Sequence, residues 1–266
     1  MSSLSYLFNA VTRSFVKVPS RPEAPCPVCK SNAPYLDEVD FNKNCEEARG
    51  MQLPKSGELI RYYLCDVCGF CFAPEIAAWP TKEFENKIYN EQYAVVDPDY
   101  KSVRPTNNAE MIDQLFGSTK PSHIDYGGGS GLLSEVLRGK AWNSRTYDPF
   151  VDKHLKVEEL GQFDLVSAFE VFEHVPDIDA LFADLNTLVK PDGMILFSTL
   201  LSDGAIKKGQ PLHWWYASPR NGHISLFSAE SMRRSIDQHG FKSSSASANL
   251  HTAYREIPPW AAHMWS

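Results

Sequence analysis

No cysteine follows Cys71, no apolar run reaches membrane-spanning length, and acidic residues outnumber basic ones. Each shortage excludes something. A chain without roughly 20 consecutive apolar residues has no helix able to cross a bilayer. A formal charge of -7 gives no field to attract a phosphate backbone, so nucleic acid is not an expected partner. The hydrophobic share of 43% and charged share of 22% are those of an ordinary globular chain, expected to be cytoplasmic and to act on a small molecule. All six cysteines, Cys26, Cys29, Cys45, Cys65, Cys68 and Cys71, fall in the first third, so whatever they do is local.

Residues 1–22 carry Arg13, Lys17 and Arg21, no acid, and apolar residues at Leu4, Leu7, Phe8, Val11, Phe15 and Val18. That is helical spacing, and an N-terminal helix is expected. A targeting presequence shares this composition, but the apolar stretch is too broken for a secretory signal.

Residues 23–80 are turn-rich and weakly periodic, with Pro25, Pro27, Pro34, Pro54 and Pro74, and read as a segment that buries little core of its own. Two knuckles, Cys26-Pro27-Val28-Cys29 and Cys65-Asp66-Val67-Cys68, supply what such a segment lacks. Four thiolates on tight turns suit a tetrahedral, structural Zn²⁺, whose binding is coupled to folding. The 35 intervening residues lengthen the loop of an ordinary ribbon. Disulfides are the alternative, without any sign of secretion to support them. Cys71 is a substitute ligand and Cys45 is expected to be free.

Residues 81–118 read as a helical cap carrying Tyr89 and Tyr93. From 119 to 266 strand and helix patterns alternate: strands through Ile124, to Tyr147-Asp148, over Phe163–Phe169 and over Met194–Leu200, helices from Gly131, after Asp177 and after Ser228, and two closing strands in 241–256. The helix after Asp177 should end at Pro191-Asp192-Gly193. No internal repeat is present.

The first of these strands runs into Asp125-Tyr126-Gly127-Gly128-Gly129-Ser130-Gly131. Glycines at a helix start permit unusual dihedrals and let a ligand lie against the main chain, while the helix N-terminus offers free N–H groups. Alone, this fits a tight turn as well as a nucleotide-like ligand. Asp148, at the end of the next strand, is placed to accept both hydroxyl hydrogens of a ribose. A nicotinamide fingerprint needs glycine at position 132, which is Leu132.

Asp125 to Gly131 resembles the first motif of class I S-adenosylmethionine (SAM)-dependent methyltransferases, and Asp148 resembles their second. Phe163 to Val166 with Phe169-Glu170-Val171-Phe172-Glu173-His174-Val175 resembles the fourth-strand motif. Leu188-Val189-Lys190-Pro191-Asp192-Gly193 resembles the loop before the fifth strand. The resemblance, over about residues 107 to 256, implies an α/β Rossmann-like fold with a mostly parallel, seven-stranded sheet. It implies SAM at Asp125, Tyr126, Gly127, Gly128, Gly129, Gly131, Asp148, Phe169 and Glu170. Only 14 residues separate Asp148 from Phe163, so the third-strand region is shortened, and Val157-Glu158-Glu159 is one candidate for the adenine end.

Methyl transfer to a hydroxyl or C–H acceptor needs a base near the methyl group. Glu173-His174 resembles the Glu-His pairs of sugar C-methyltransferases, which also carry an N-terminal zinc region and site tyrosines comparable to Tyr89 and Tyr93. Their further C-terminal domain has no counterpart here. Catalysis and tethering of the loop are both open to the pair. His223 and His213, near the aromatic run Trp214-Trp215-Tyr216, are candidate polar contacts for a sugar or another ring. The expected activity is SAM-dependent O- or C-methylation of a small molecule, a sugar or sugar nucleotide among the candidates. The alternative is a zinc-ribbon binding protein with an inactive methyltransferase-like domain.

Overall fold

The computed structural model describes residues 22–265, and the helix expected over 1–22 falls outside them apart from Pro22. In chain order the strands are β1 (Glu23–Pro25), β2 (Asn32–Asp40), β3 (Leu59–Leu64), β4 (Cys71–Phe72), β5 (His123–Tyr126), β6 (Ser144–Tyr147), β7 (Phe163–Phe169), β8 (Val189–Ser198), β9 (Ser225–Leu226), β10 (Lys242–Ser245) and β11 (Leu250–Tyr254). The helices are α1 (Pro74–Ala77), α2 (Thr81–Lys87), α3 (Tyr93–Val96), α4 (Val103–Phe116), α5 (Leu132–Gly139), α6 (Ile178–Leu188) and α7 (Ala229–Gln238).

One sheet runs β10-β11-β8-β7-β5-β6. The pairs β5–β6, β5–β7 and β7–β8 are parallel, and β11 and β10 add on antiparallel. Central strands covered on both faces need apolar residues throughout, which explains why β7 reads Phe-Asp-Leu-Val-Ser-Ala-Phe without clean alternation. In α6, Ile178, Leu181, Phe182, Leu185 and Leu188 form the buried stripe, and Asp177 caps it by accepting from Ala180 N at 3.0 Å. Ser228 caps α7.

Three expectations are corrected. The sheet has six strands among the described residues, not seven: between Asp148 and Phe163 there is room for only a short 3₁₀ turn, Val157–Glu159, and β6 is left as an edge. Second, the strand expected from Met194 begins at Val189. Pro191-Asp192-Gly193 lies inside it as an irregularity, because pairing jumps from Phe163↔Val189 to Leu165↔Met194. Third, the cysteine-rich segment does bury a core. Tyr62, Phe70 and Ile76 are fully buried. Its sheet, β1-β2-β3-β4-β9, takes its last strand from residues 225–226, and Ile60, Tyr62 and Ile76 share one cluster with Leu212, Tyr216 and Ile224. The partner surface is remote in sequence, so no local periodicity announces it.

Candidate active site

The glycine loop joins β5 to α5 beside the carboxyl end of β6. Gly127 has φ +74, and a Cβ there would lie 2.6 Å from Val171 Cγ2; at Gly128 it would lie 2.5 Å from Asp125 Oδ2. Neither position admits a side chain without displacing its neighbour. Gly129 N–H donates to Asp148 Oδ2 at 2.9 Å, while Asp148 Oδ1 accepts from Phe150 N at 2.8 Å. Asp148 is therefore fixed against the loop.

Asp125 lies beneath the loop, where Ser167 Oγ donates to Oδ1 at 2.5 Å, and burial pushes its carboxyl up to about 7. Tyr126 points the other way, its hydroxyl donating to Asp184 at 2.7 Å, so it offers the site only main chain. At the adenine candidate, Val157 turns into the core while Glu158 and Glu159 are exposed.

The ends of β7 and β8 bear a second group. Glu170 adopts φ +53, uncommon outside glycine; its N–H donates to Ser198 Oγ at 3.0 Å, and Ser198 Oγ donates to its Oε1 at 2.8 Å. Glu173 is fully buried and accepts a hydrogen bond from the Tyr216 hydroxyl on Oε1 at 2.5 Å, while its Oε2 has no hydrogen-bond partner. Burial, reinforced by the like charge of Glu170, pushes Glu173 up to about 8, so it holds a proton at neutral pH. His174 Nδ1 and Thr199 Oγ1 are likewise buried and unpartnered. Burial lowers His174 to about 4 and holds His223 well below its usual range, so both imidazoles are neutral.

His223 reaches this group from the loop after β8. Its ring lies 4.8 Å from that of His174, and one donor atom each from Glu173, His174 and His223 lie within 4.8 Å of one another. That spacing suits a shared proton or a cation. The structure brings together Glu173 and His174, the sequence's candidates for proton handling, and His223, its candidate polar contact. His213 is exposed and stands apart from it. Tyr89 packs against Phe150 at 5.0 Å and sits 6.3 Å from the His174 ring, between the two halves of the site. Tyr93 is one layer further back, its hydroxyl 3.4 Å from Asp97 Oδ2 and from Asn221 O. Phe169 is half-buried in the core behind.

Sequence reasoning missed Arg104, Tyr216 and Thr199. Arg104 pairs with Asp97 and approaches Glu170 Oε2 at 3.9 Å, placing a cation beside the acid that follows β7. It sits on α4, which carries no motif. Tyr216 was seen only as part of an aromatic run.

The four knuckle cysteines converge. Cys26 and Cys68 Sγ are 3.6 Å apart, Cys29 and Cys65 Sγ 3.3 Å, and all four lie within 4.8 Å of one another. Both knuckles close alike: Lys30 N bonds to Cys26 O at 2.9 Å and Gly69 N to Cys65 O at 2.8 Å, with Lys30 and Gly69 at φ +61 and +71. Unbridged sulfurs at this separation match the donor set of a tetrahedral Zn²⁺. Cys71 is buried in β4 outside that set, which removes it as a ligand, and Cys45 Sγ lies 3.8 Å from His223 Nδ1.

A family model described as a methyltransferase domain matches residues 100–245, more than half of the chain. The chain belongs to the class I SAM-dependent methyltransferases. Among sequence relatives, the ubiquinone biosynthesis O-methyltransferase of Bordetella avium (strain 197N) is 30% identical over 131 residues, covering 39% of this chain and 54% of that protein. The enzyme of the same name from Colwellia psychrerythraea (strain 34H / ATCC BAA-681) is 33% identical over 114 residues, covering 34% and 46%. The chain thus spans about half the length of these curated relatives. Among solved structures, the 1,6-didemethyltoxoflavin-N1-methyltransferase of Burkholderia thailandensis, with 1,6-didemethyltoxoflavin and S-adenosylhomocysteine bound, aligns with TM-score 0.45 and 15% identity over 72% of this chain and 97% of that one. In this methyltransferase no described helix is long and apolar enough to cross a membrane.

Proposed function

We propose that this methyltransferase binds SAM and transfers its methyl group to a hydroxyl oxygen of a small, ring-bearing molecule. The observation that carries the reading is the convergence, at the carboxyl ends of the parallel strands, of the glycine loop with its Asp148 and a buried cluster of neutral imidazoles. Gly127, Gly128, Gly129 and Gly131 admit the cofactor to the main chain, and Asp148 accepts from its ribose. SAM supplies, when bound, an electrophilic methyl group on sulfur. A hydroxyl acceptor must then shed its proton, and an imidazole held neutral has the free lone pair to take it. Glu173, protonated and bonded to Tyr216, orients this cluster.

Oxygen as the acceptor is favoured by the relatives, named O-methyltransferases of ubiquinone biosynthesis; the expected sugar finds no support among them. Aromatic faces at Tyr89, Phe150 and Trp214 suit a ring. The same reading gives the four cysteines a structural Zn²⁺. Calorimetry with SAM and S-adenosylhomocysteine on the full, metal-loaded chain tests it. Binding of both is expected; a folded sample that binds neither is the inactive-domain alternative. Transfer of isotope-labelled methyl from SAM to a panel of phenols and sugar nucleotides then separates acceptors, and loss of transfer in a Glu173→Ala/His174→Ala double variant is expected.

A further inference from the structure

The loop that carries His223 is held by the cysteine-rich segment, and one half-buried cation gathers several of its carbonyls. Lys43 follows β2. Its ammonium donates to the carbonyls of Trp214 at 2.7 Å and Ala217 at 2.6 Å, with Trp215 O at 3.5 Å, and its own carbonyl accepts from Arg220 N at 3.2 Å. An ammonium has three N–H donors, and here a single turn supplies three acceptors for them. Partial burial lowers Lys43 to about 8.

The clamped turn brackets Tyr216, and Tyr216 is used at both ends. Its hydroxyl is bonded to Glu173, and its backbone carbonyl faces His223 Nδ1 at 2.8 Å. A carbonyl oxygen can only accept, so Nδ1 carries the proton and Nε2 is left with the lone pair. The His223 carbonyl is fixed in turn by the Tyr62 hydroxyl at 2.7 Å, from β3 of the same module.

We propose that Lys43 is a positioning residue for proton removal, holding turn 214–217 so that the Tyr216 carbonyl locks His223 in its Nδ1–H tautomer with Nε2 free to accept. The proposal rests on the methyl-transfer reading above. In that step the acceptor O–H bond breaks, its proton goes to Nε2, the oxygen's electron pair forms the bond to the methyl carbon, and the sulfur keeps the pair of the broken S–C bond.

The test is the tautomer itself, read by two-bond ¹⁵N–¹H spectra of the full chain labelled at histidine, with His223 assigned from a His223→Gln sample. The wild type should show a single Nδ1–H tautomer at neutral pH. In Lys43→Met that signature should collapse to a mixture, while S-adenosylhomocysteine affinity stays within about twofold, because the glycine loop is not touched. Should Lys43→Met fail to fold by circular dichroism, Lys43→Gln, which keeps an amide donor but no charge, is expected to show the same loss in part. A folded variant of either kind with His223 still fixed as Nδ1–H overturns the proposal, as does a wild-type His223 in the Nε2–H form. Absence of cofactor binding to the wild type would instead sink the methyl-transfer reading and leave the tautomer result standing.

Discussion

Tyr216 donates its phenol hydrogen to Glu173 Oε1 over 2.5 Å, in a pocket where Glu173 has no exposure to water. This contact explains how a carboxyl group is tolerated there: it is protonated, and one of its oxygens is satisfied. Stability should record that proton. Glu173 is raised from 4.5 to about 8, so between those pH values the folded chain keeps a proton that the unfolded chain has lost, and stability falls as pH rises. His174, lowered from 6.5 to about 4, works in the opposite sense, its contribution growing with pH until 6.5 and flat thereafter. From pH 6.5 to 8 the Glu173 decline therefore stands without opposition from His174. Glu173→Gln should gain on the wild type across that interval by up to about 2 kcal/mol in urea unfolding. A difference that is flat or shrinks with pH would contradict the assignment.

Tyr216→Phe keeps the ring against His223, whose centroid lies 4.2 Å away, and removes only the hydroxyl. Glu173 then has neither oxygen satisfied, since Oε2 is already without a partner. The expected loss is about 1–3 kcal/mol by thermal or urea unfolding. In a Glu173→Leu background the same change should cost much less, and equal costs in the two backgrounds would mean that the pair does not interact.

The elements legible in the sequence were those whose signals are local. The stripe from Ile178 to Leu188 and the buried run Phe163–Phe169 are written in consecutive residues, and each formed where its pattern lay. Asp125 to Gly131 was legible because a chain passing that close to Val171 and Asp125 can use little but glycine. The core of the cysteine-rich segment was not legible, because Tyr62 and Ile76 pack on Leu212 and Ile224, some 150 residues away in the chain. Arg104 and Lys43 were missed for the same reason: a cation's meaning depends on which acids or carbonyls face it, and neither residue lies in a motif. Even the Glu-His pair was only half readable. Its sequence suggested a base, whereas burial makes Glu173 the protonated member and leaves the lone pairs to the histidines.

Asp148 has two duties, one toward the Gly129 and Phe150 N–H groups and one proposed toward the cofactor. Asp148→Ala should weaken S-adenosylhomocysteine binding by roughly ten- to a hundredfold in calorimetry, the loss of about 1.5–3 kcal/mol expected for charge-assisted hydrogen bonds. Asp148→Asn, with one acceptor oxygen left, should lose less. Unchanged affinity in both variants would place the ribose elsewhere.

Removal of metal should be felt at the acceptor side before it is felt at the glycine loop. β4, six residues beyond Cys65, pairs with β9 through Cys71↔Leu226 and Phe72↔Ser225, Ala73 N donates to Ile224 O at 3.0 Å, and Ser228 Oγ donates to the carbonyl of Cys68 at 2.6 Å. Residues 224–228 are thus stitched to the second knuckle, while Asp125 to Gly131 is held by β5, β6 and Val171. With zinc stripped by a chelator, or in Cys26→Ser, we expect less than one equivalent of zinc, a lower unfolding temperature, and faster amide hydrogen exchange over 224–228 ahead of any change over 125–131. Uniform loss of protection across both segments would show a single cooperative unit rather than a knuckle acting through β9. Unaltered exchange at 224–228 in demonstrably metal-free protein would show that the cysteines do not support that strand.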